Sequence, residues 1–267
     1  MRHLVIPDTQ VKPGEPQDHM RWIGKFIMHK RPDVVVHLGD HHDMSSLSSY
    51  DKGKRAAEGR RYSDDIDAGN EAWDMLTKPL RTTRSGYRPD CHFLLGNHEE
   101  RIARATNTDP AMYGTLGYHD LAVSQDEMWT VHDFLDPVEL NGVHYAHYFY
   151  HPNNGRPYGG SVATRLKTIG MSFTQGHQQI MDYANRPVGR TRHHGLVAGS
   201  CYLVDEEYRG PQSNCEWRGI IVKNEVDGGD YDITMVSLNY LCKKYEGVPL
   251  REFLRTKYPE MTGTLWR

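Results

Sequence analysis

Five short apolar runs in this chain each stop at side chains able to hold a metal ion. Residues 3–7 (HLVIP) lead into Asp8 and Gln10, and residues 33–39 (DVVVHLG) lead into Asp40 and Asp43. Residues 91–96 (CHFLLG) lead into Asn97 and His98, residues 141–146 (NGVHYA) into His147, and residues 170–176 (GMSFTQG) into His177 and Gln179. The β-branched run in residues 33–39 is the mark of a strand buried on both faces. Ligands of open α/β sheets bind outside the carboxyl ends of the strands. One polar strand end means little, but five in series constrain fold and chemistry together. Carboxylate and imidazole groups suit hard and borderline divalent ions.

The segments between the runs support an α/β chain. Trp22, Ile23, Phe26 and Ile27 recur at helical spacing before Pro32, which makes the start of the chain a strand–helix–strand unit with a right-handed parallel crossover. Residues 44–88 are polar, with a predicted helix burying Ile66, Ala72, Trp73, Leu76 and Leu80, and a basic stretch (Lys52, Lys54, Arg55, Arg60, Arg61) ahead of it. A helix is predicted after Asn97–His98, an Asn-Gly turn enters the fourth run, and the tail reads as a β-hairpin across DGGD followed by a short helix, LREFLRTKY. With neither an internal repeat nor a low-complexity linker, residues 1–267 are expected to form a single domain.

Composition narrows the function. Histidine is abundant, 16 in 267 residues, and many of these lie beside Asp, Asn or Gly. The net charge of -3 argues against a global nucleic-acid coat, although a local basic cleft is compatible with it. Cys91, Cys201, Cys215 and Cys242 are widely spaced, so free buried thiols are expected rather than a zinc ribbon or a disulfide framework. No apolar run approaches the ~18–20 residues of a membrane helix, and the first residues lack a signal-peptide pattern. A soluble, cytoplasmic protein is expected.

The ordered motifs resemble those of the calcineurin-like metallophosphoesterases, and phage-encoded members in particular. That family carries D-x-H, G-D-x-x-D, G-N-H-[DE], a lone His and G-H-x-H; here they stand as Asp8-Thr-Gln10, Gly39-Asp-His-His-Asp43, Gly96-Asn-His-Glu99, His147 and Gly176-His-Gln-Gln179. The resemblance covers residues 8 to 179 and implies a four-layer α/β/β/α sandwich with two mixed sheets. It implies one ion held by Asp8, Gln10, Asp40 and Gln179 and a second by Asp40, Asn97, His147 and His177. Asp40 would bridge the two, since a carboxylate has two oxygens. His98 would donate a proton to the leaving group, with Asp43 holding its tautomer. For the lone His, His147 is preferred and His144 is the alternative. His41 and His42 are expected in the loop near the substrate, and Arg101 within reach of a phosphate.

Two positions depart from the family. Gln10 and Gln179 stand where it has His, on the same implied ion. An amide oxygen in place of an imidazole nitrogen disfavours zinc and favours manganese or magnesium; nickel and iron also remain open. The substrate class is less legible. Basic clusters and the aromatics around residues 145–158 suit single-stranded nucleic acid, so a phosphodiesterase or nuclease is the first expectation. A phosphomonoesterase is the alternative, and a catalytically weak binding scaffold the alternative from another class.

Overall fold

A computed structural model describes residues 1–205 and 216–261. Two mixed sheets lie face to face. The first has the strand order β11-β10-β1-β2-β3-β4. Strands β1 (His3–Ile6), β2 (Val34–His37), β3 (Asp90–Leu94) and β4 (Trp129–His132) are parallel. β10 (Gly219–Asp227) runs antiparallel to β1, and β11 (Asp230–Ser237) antiparallel to β10. The second sheet has the order β5-β6-β7-β9-β8, formed by β5 (Val138–Leu140), β6 (Val143–Ala146), β7 (Phe173–Gln175), β8 (Met181–Val188) and β9 (Thr191–Ala198).

Alternation along the strands makes four layers. Leu4, Ile6, Val35 and Phe93 face helices α1 (Asp18–Lys30), α2 (Tyr62–Arg81), α5 (Leu238–Glu246) and α6 (Leu250–Lys257), whose Trp22, Ile23, Trp73, Leu76, Leu241 and Leu254 complete that core. Val5, Val34 and Val36 point the other way, to Val143, Tyr145, Leu196 and Ala198 of the second sheet. Helix α4 (Val162–Ile169) covers the outer face of that sheet through Val162 and Leu166 on Phe173 and Val197. This is the expected α/β/β/α sandwich, with successive residues of each strand serving opposite cores. Helix α3 (Glu100–Thr108) follows β3 at the upper edge.

Some elements were not expected. β4, β5, β8, α4 and α5 had no clear signal, and the strand read through Leu238 stops at Ser237, whose hydroxyl accepts from Tyr240 N at 3.1 Å and caps α5. Cys91, Cys201 and Cys242 are buried free thiols, as expected; Cys215 lies outside the described residues. No helix among the described residues is long and apolar enough to cross a membrane.

Lys223 of β10 is fully buried between the sheets. Its ammonium nitrogen lies 3.1 Å from the Tyr145 hydroxyl, bonds to Thr174 Oγ1, and sits 4.3 and 4.4 Å from the ring centres of Tyr145 and Tyr231. Burial holds it well below its ordinary 10.5. The folded state therefore favours the neutral amine, whereas the unfolded chain keeps the proton up to about 10.5. Stability attributable to Lys223 is present above that value and lost as pH falls through the folded one, at up to about 1.4 kcal/mol per pH unit. Lys223→Met should remove this dependence. In urea unfolding from pH 7 to 10, the variant's stability relative to the parent should grow as pH falls; a pH-independent difference would contradict a neutral Lys223.

Candidate metal centre

The loops after β1, β2, β3, β6 and β7 meet at one edge of the sandwich. Asp40 follows Gly39, and both have positive φ, 49° and 89°. A Cβ on Gly39 would sit 2.4 Å from Leu94 O, and one on Gly96 would sit 2.2 Å from Asp40 Oδ1. These two glycines allow the β2 and β3 loops to touch. Gln10, His177 and Gln179 also have positive φ. Such left-handed residues outside glycine are uncommon, persist only where the surroundings enforce them, and gather at functional sites.

Four donor atoms converge there. Asp40 Oδ1 accepts from His98 N at 2.9 Å, while Oδ2 lies 3.3 Å from His147 Nε2. Asn97 Oδ1 lies 2.8 Å from His147 Nε2 and 2.7 Å from His177 Nδ1. His147 Nδ1 donates to Leu38 O at 2.8 Å, which turns Nε2 toward the cluster. Asp40, His147 and His177 form the only group of three or more His, Cys, Asp or Glu donors within 4.8 Å of one another among the described residues. His144, the alternative to His147, lies inside β6 and outside that group.

The electrostatics are those of a site made for positive charge. Burial alone would lower the pKa of His147, but Asp40 raises it to about 9. Burial and the Asp40 charge push Asp8 up to about 7. Asp40 itself is held low despite burial, by His147 and His98. Burial and the neighbouring His147 bring His177 down to about 4.

The Asp8 side is built from oxygen-rich groups. Asp8 is fully buried; its Oδ1 accepts from His177 N at 3.0 Å, and its Oδ2 has no protein partner. Both amide atoms of buried Gln10 lack partners too. A buried polar group without a partner costs about 1–3 kcal/mol, so the two oxygens among them, Asp8 Oδ2 and Gln10 Oε1, suit a cation. Gln179 Oε1 accepts from the hydroxyl of Tyr202, a buried tail residue, at 3.0 Å.

His98 lies beside the cluster. Its Nδ1 is 2.7 Å from Asp43 O and 3.1 Å from Asp43 Oδ1, leaving Nε2 turned toward Asp40 Oδ2 at 3.7 Å. Burial lowers its pKa, but Asp40 and Asp43 together raise it. Arg101 braces this corner from α3: Nη1 donates to Asp43 O at 2.7 Å and Met44 O at 3.2 Å, and Nη2 lies 3.4 Å from His98 Nε2.

His41 and His42, expected in the loop near the substrate, are turned away from the donor cluster. Both are buried behind the loop: His41 bridges Thr9 Oγ1 (2.8 Å) and Gly69 O (2.9 Å), and His42 packs on Gly69 and reaches Asn70 Oδ1. After the left-handed residue Asp40, whose carboxylate faces His147 and His98, the next two rings face α2.

Glu99, the last residue of the third motif, and two aromatics complete the site in places that the motifs alone do not specify. Glu99 is fully buried, and its carboxylate accepts backbone N–H bonds from Asp40, His41, His42 and Gly96. Tyr148 stands against His177 with ring centres 4.7 Å apart, and Phe134 meets Tyr148 edge-on at 5.7 Å.

This layout, donor-bearing strand ends at one edge of an α/β/β/α sandwich, is that of a metal-dependent phosphoester hydrolase. The chain belongs to the calcineurin-like phosphoesterase family, whose model matches residues 1–202. No curated protein matches it. A solved crystal structure is similar at 12% identity, covering 89% of this chain and 98% of the other, with a TM-score of 0.41.

Proposed function

We propose that this chain is a two-metal phosphodiesterase acting on nucleic acid. The observation that carries the metal chemistry is the convergence of Asp40, Asn97, His147 and His177 donor atoms beside His98. Divalent ions in such a site supply charge to the phosphoryl oxygens and acidify a water. Asp40, Asn97, His147 and His177 would hold one ion, and Asp8, Gln10, Asp40 and Gln179 the other. The second set offers oxygen donors only, which favours manganese or magnesium over zinc.

The chain's own groups do the rest. Asp43 fixes the ring of His98 through Nδ1, so Nε2 is the atom that gives a proton to the leaving oxygen. Asp40 and Asp43 raise the pKa of His98, which favours the protonated form that task needs. Arg101 places a guanidinium beside Nε2, where it would meet a phosphoryl oxygen. Lys52, Lys54, Arg55 and Arg61 are exposed on the segment that leaves Asp43, and Tyr148 and Phe134 flank the histidines. Basic and aromatic groups together favour a nucleic-acid strand over a small phosphomonoester. We also read residues 1–267 as one domain, since β10 and β11 of the tail complete the first sheet.

The test is hydrolysis of bis-p-nitrophenyl phosphate and p-nitrophenyl phosphate by chelator-stripped protein resupplied with manganese, magnesium, zinc or nickel. Diester turnover strongest with manganese is expected. Monoester turnover alone would make the protein a phosphatase. Folded protein inactive with every metal would be a binding scaffold.

A further inference from the structure

Arg165 is a buried cation that the mechanism above does not use. It lies on α4 and is 4% exposed. No carboxylate pairs with it among the described residues, and its Nε has no partner. Asp182, whose charge partly offsets the burial of Arg165, spends its Oδ2 on Val162 N at the start of α4. A buried guanidinium without a paired carboxylate is costly, so what its fork holds is informative.

The fork joins two loops. Nη2 donates to Gly160 O at 2.7 Å, and Nη1 donates to Gln178 Oε1. Gly160 ends the loop that begins just after His147. Gln178 sits between His177 and Gln179, which both have left-handed backbone, at φ 66° and 57°. Its own N–H turns back to Gly176 O at 2.8 Å. Two left-handed residues in a stretch of three need external restraint, and Arg165 grips the residue between them. A planar fork does this with one side chain; a lysine offers a point charge and no fork.

We propose that Arg165 is a positioning residue of the metal centre: through Gln178 and Gly160 it sets the two loops that deliver His147, His177 and Gln179. This rests on the metal-binding reading above. Partners that orient metal ligands typically change affinity by about 10- to 100-fold when removed.

The experiment is manganese titration, reading free Mn²⁺ by electron paramagnetic resonance, on the wild-type full chain, Arg165→Met, Arg165→Lys, Gln178→Ala and the Arg165→Met/Gln178→Ala double variant. Arg165→Met should weaken binding about 10- to 100-fold, and Arg165→Lys should recover only part of the loss. Gln178→Ala should weaken it as well, and the double variant should bind no worse than the weaker single, because both changes break one link. Should Arg165→Met fail to fold by circular dichroism, Gln178→Ala, which strips no buried charge, carries the test. Affinities within about twofold of wild type in both single variants, or losses that simply add, would overturn the proposal. Wild-type protein that bound no manganese would instead remove the metal-binding reading itself.

Discussion

Asp40→Asn is expected to lower metal-dependent turnover by at least about 10³-fold, equivalent to about 4 kcal/mol of transition-state stabilisation. The substitution keeps the shape and one carbonyl oxygen, so the bond from His98 N can survive. What it removes is the charge. Asp40 is the one carboxylate common to both proposed ion positions, and its other oxygen faces His147 and His98. An amide there points N–H donors at nitrogens and at cations that need lone pairs. The same charge sets the titration of its neighbours. His147 lies near 9 chiefly because Asp40 overrides burial; with that charge gone, the value should fall.

Stability of the metal-free protein should follow from those shifts. A histidine raised to about 9 contributes stability that is fully present below about 6.5 and is lost as pH rises through 9. Asp8, raised to about 7, is protonated in the folded state where the unfolded chain has already ionised, so its contribution also declines between about 4 and 7. Metal-free wild type should therefore lose stability from both groups as pH climbs to 9. Divalent ions should restore it most at the alkaline end, since binding displaces those protons. Thermal melts from pH 5 to 9, with chelator and with manganese, check this, and Asp40→Asn should flatten the His147 part. Turnover by Asp40→Asn within tenfold of wild type would mean that Asp40 is not a shared ligand.

The centre was legible because its chemistry sits where the sequence changes character: Asp8, Asp40, Asn97, His147 and His177 each end an apolar run, and strand ends define the edge of a sheet. The four layers followed from the same runs, whose residues serve two cores at once. What escaped was set by tertiary contact. β8 is an edge strand containing Pro187, and its outer half is exposed, so no apolar alternation marks it. Leu238 looks like one more strand residue until the Ser237 hydroxyl is seen capping α5. His41 and His42 sit next to a proposed ligand in the sequence yet face the interior, after two successive left-handed residues, Gly39 and Asp40. Tyr202 is distant from every motif and meets Gln179 only after the chain has passed through β8 and β9. Arg101 has the sequence context of a surface helix residue, but the structure ties it to the carbonyls of the Asp43 loop.

Glu99→Gln should cost the fold about 3–5 kcal/mol, a large share of the 5–15 kcal/mol that holds a domain together. Glu99 has no exposure to solvent, and its two oxygens take four backbone donors: Oε2 accepts from Asp40 N at 3.0 Å and Gly96 N at 2.9 Å, and Oε1 from His41 N at 2.7 Å and His42 N at 2.9 Å. Burial and the nearby Asp40 charge push its pKa up, and the N–H groups pull against them. Glutamine fits the same space but has one oxygen. Its NH₂ would confront two N–H donors at hydrogen-bond distance, leaving both orphaned and adding two more donors to the same enclosed volume. The expected loss is that of a charge-assisted pair of bonds together with two unsatisfied buried groups. Because the four donors belong to the loops that carry Asp40 and Asn97, the damage should reach the metal centre: manganese affinity should fall along with the unfolding midpoint in urea. Glu99→Asp retains the charge but is shorter by one methylene, so it should recover part of the stability and less of the affinity. A Glu99→Gln protein within 1 kcal/mol of wild type, with normal manganese binding, would show that the loop holds its course without this carboxylate.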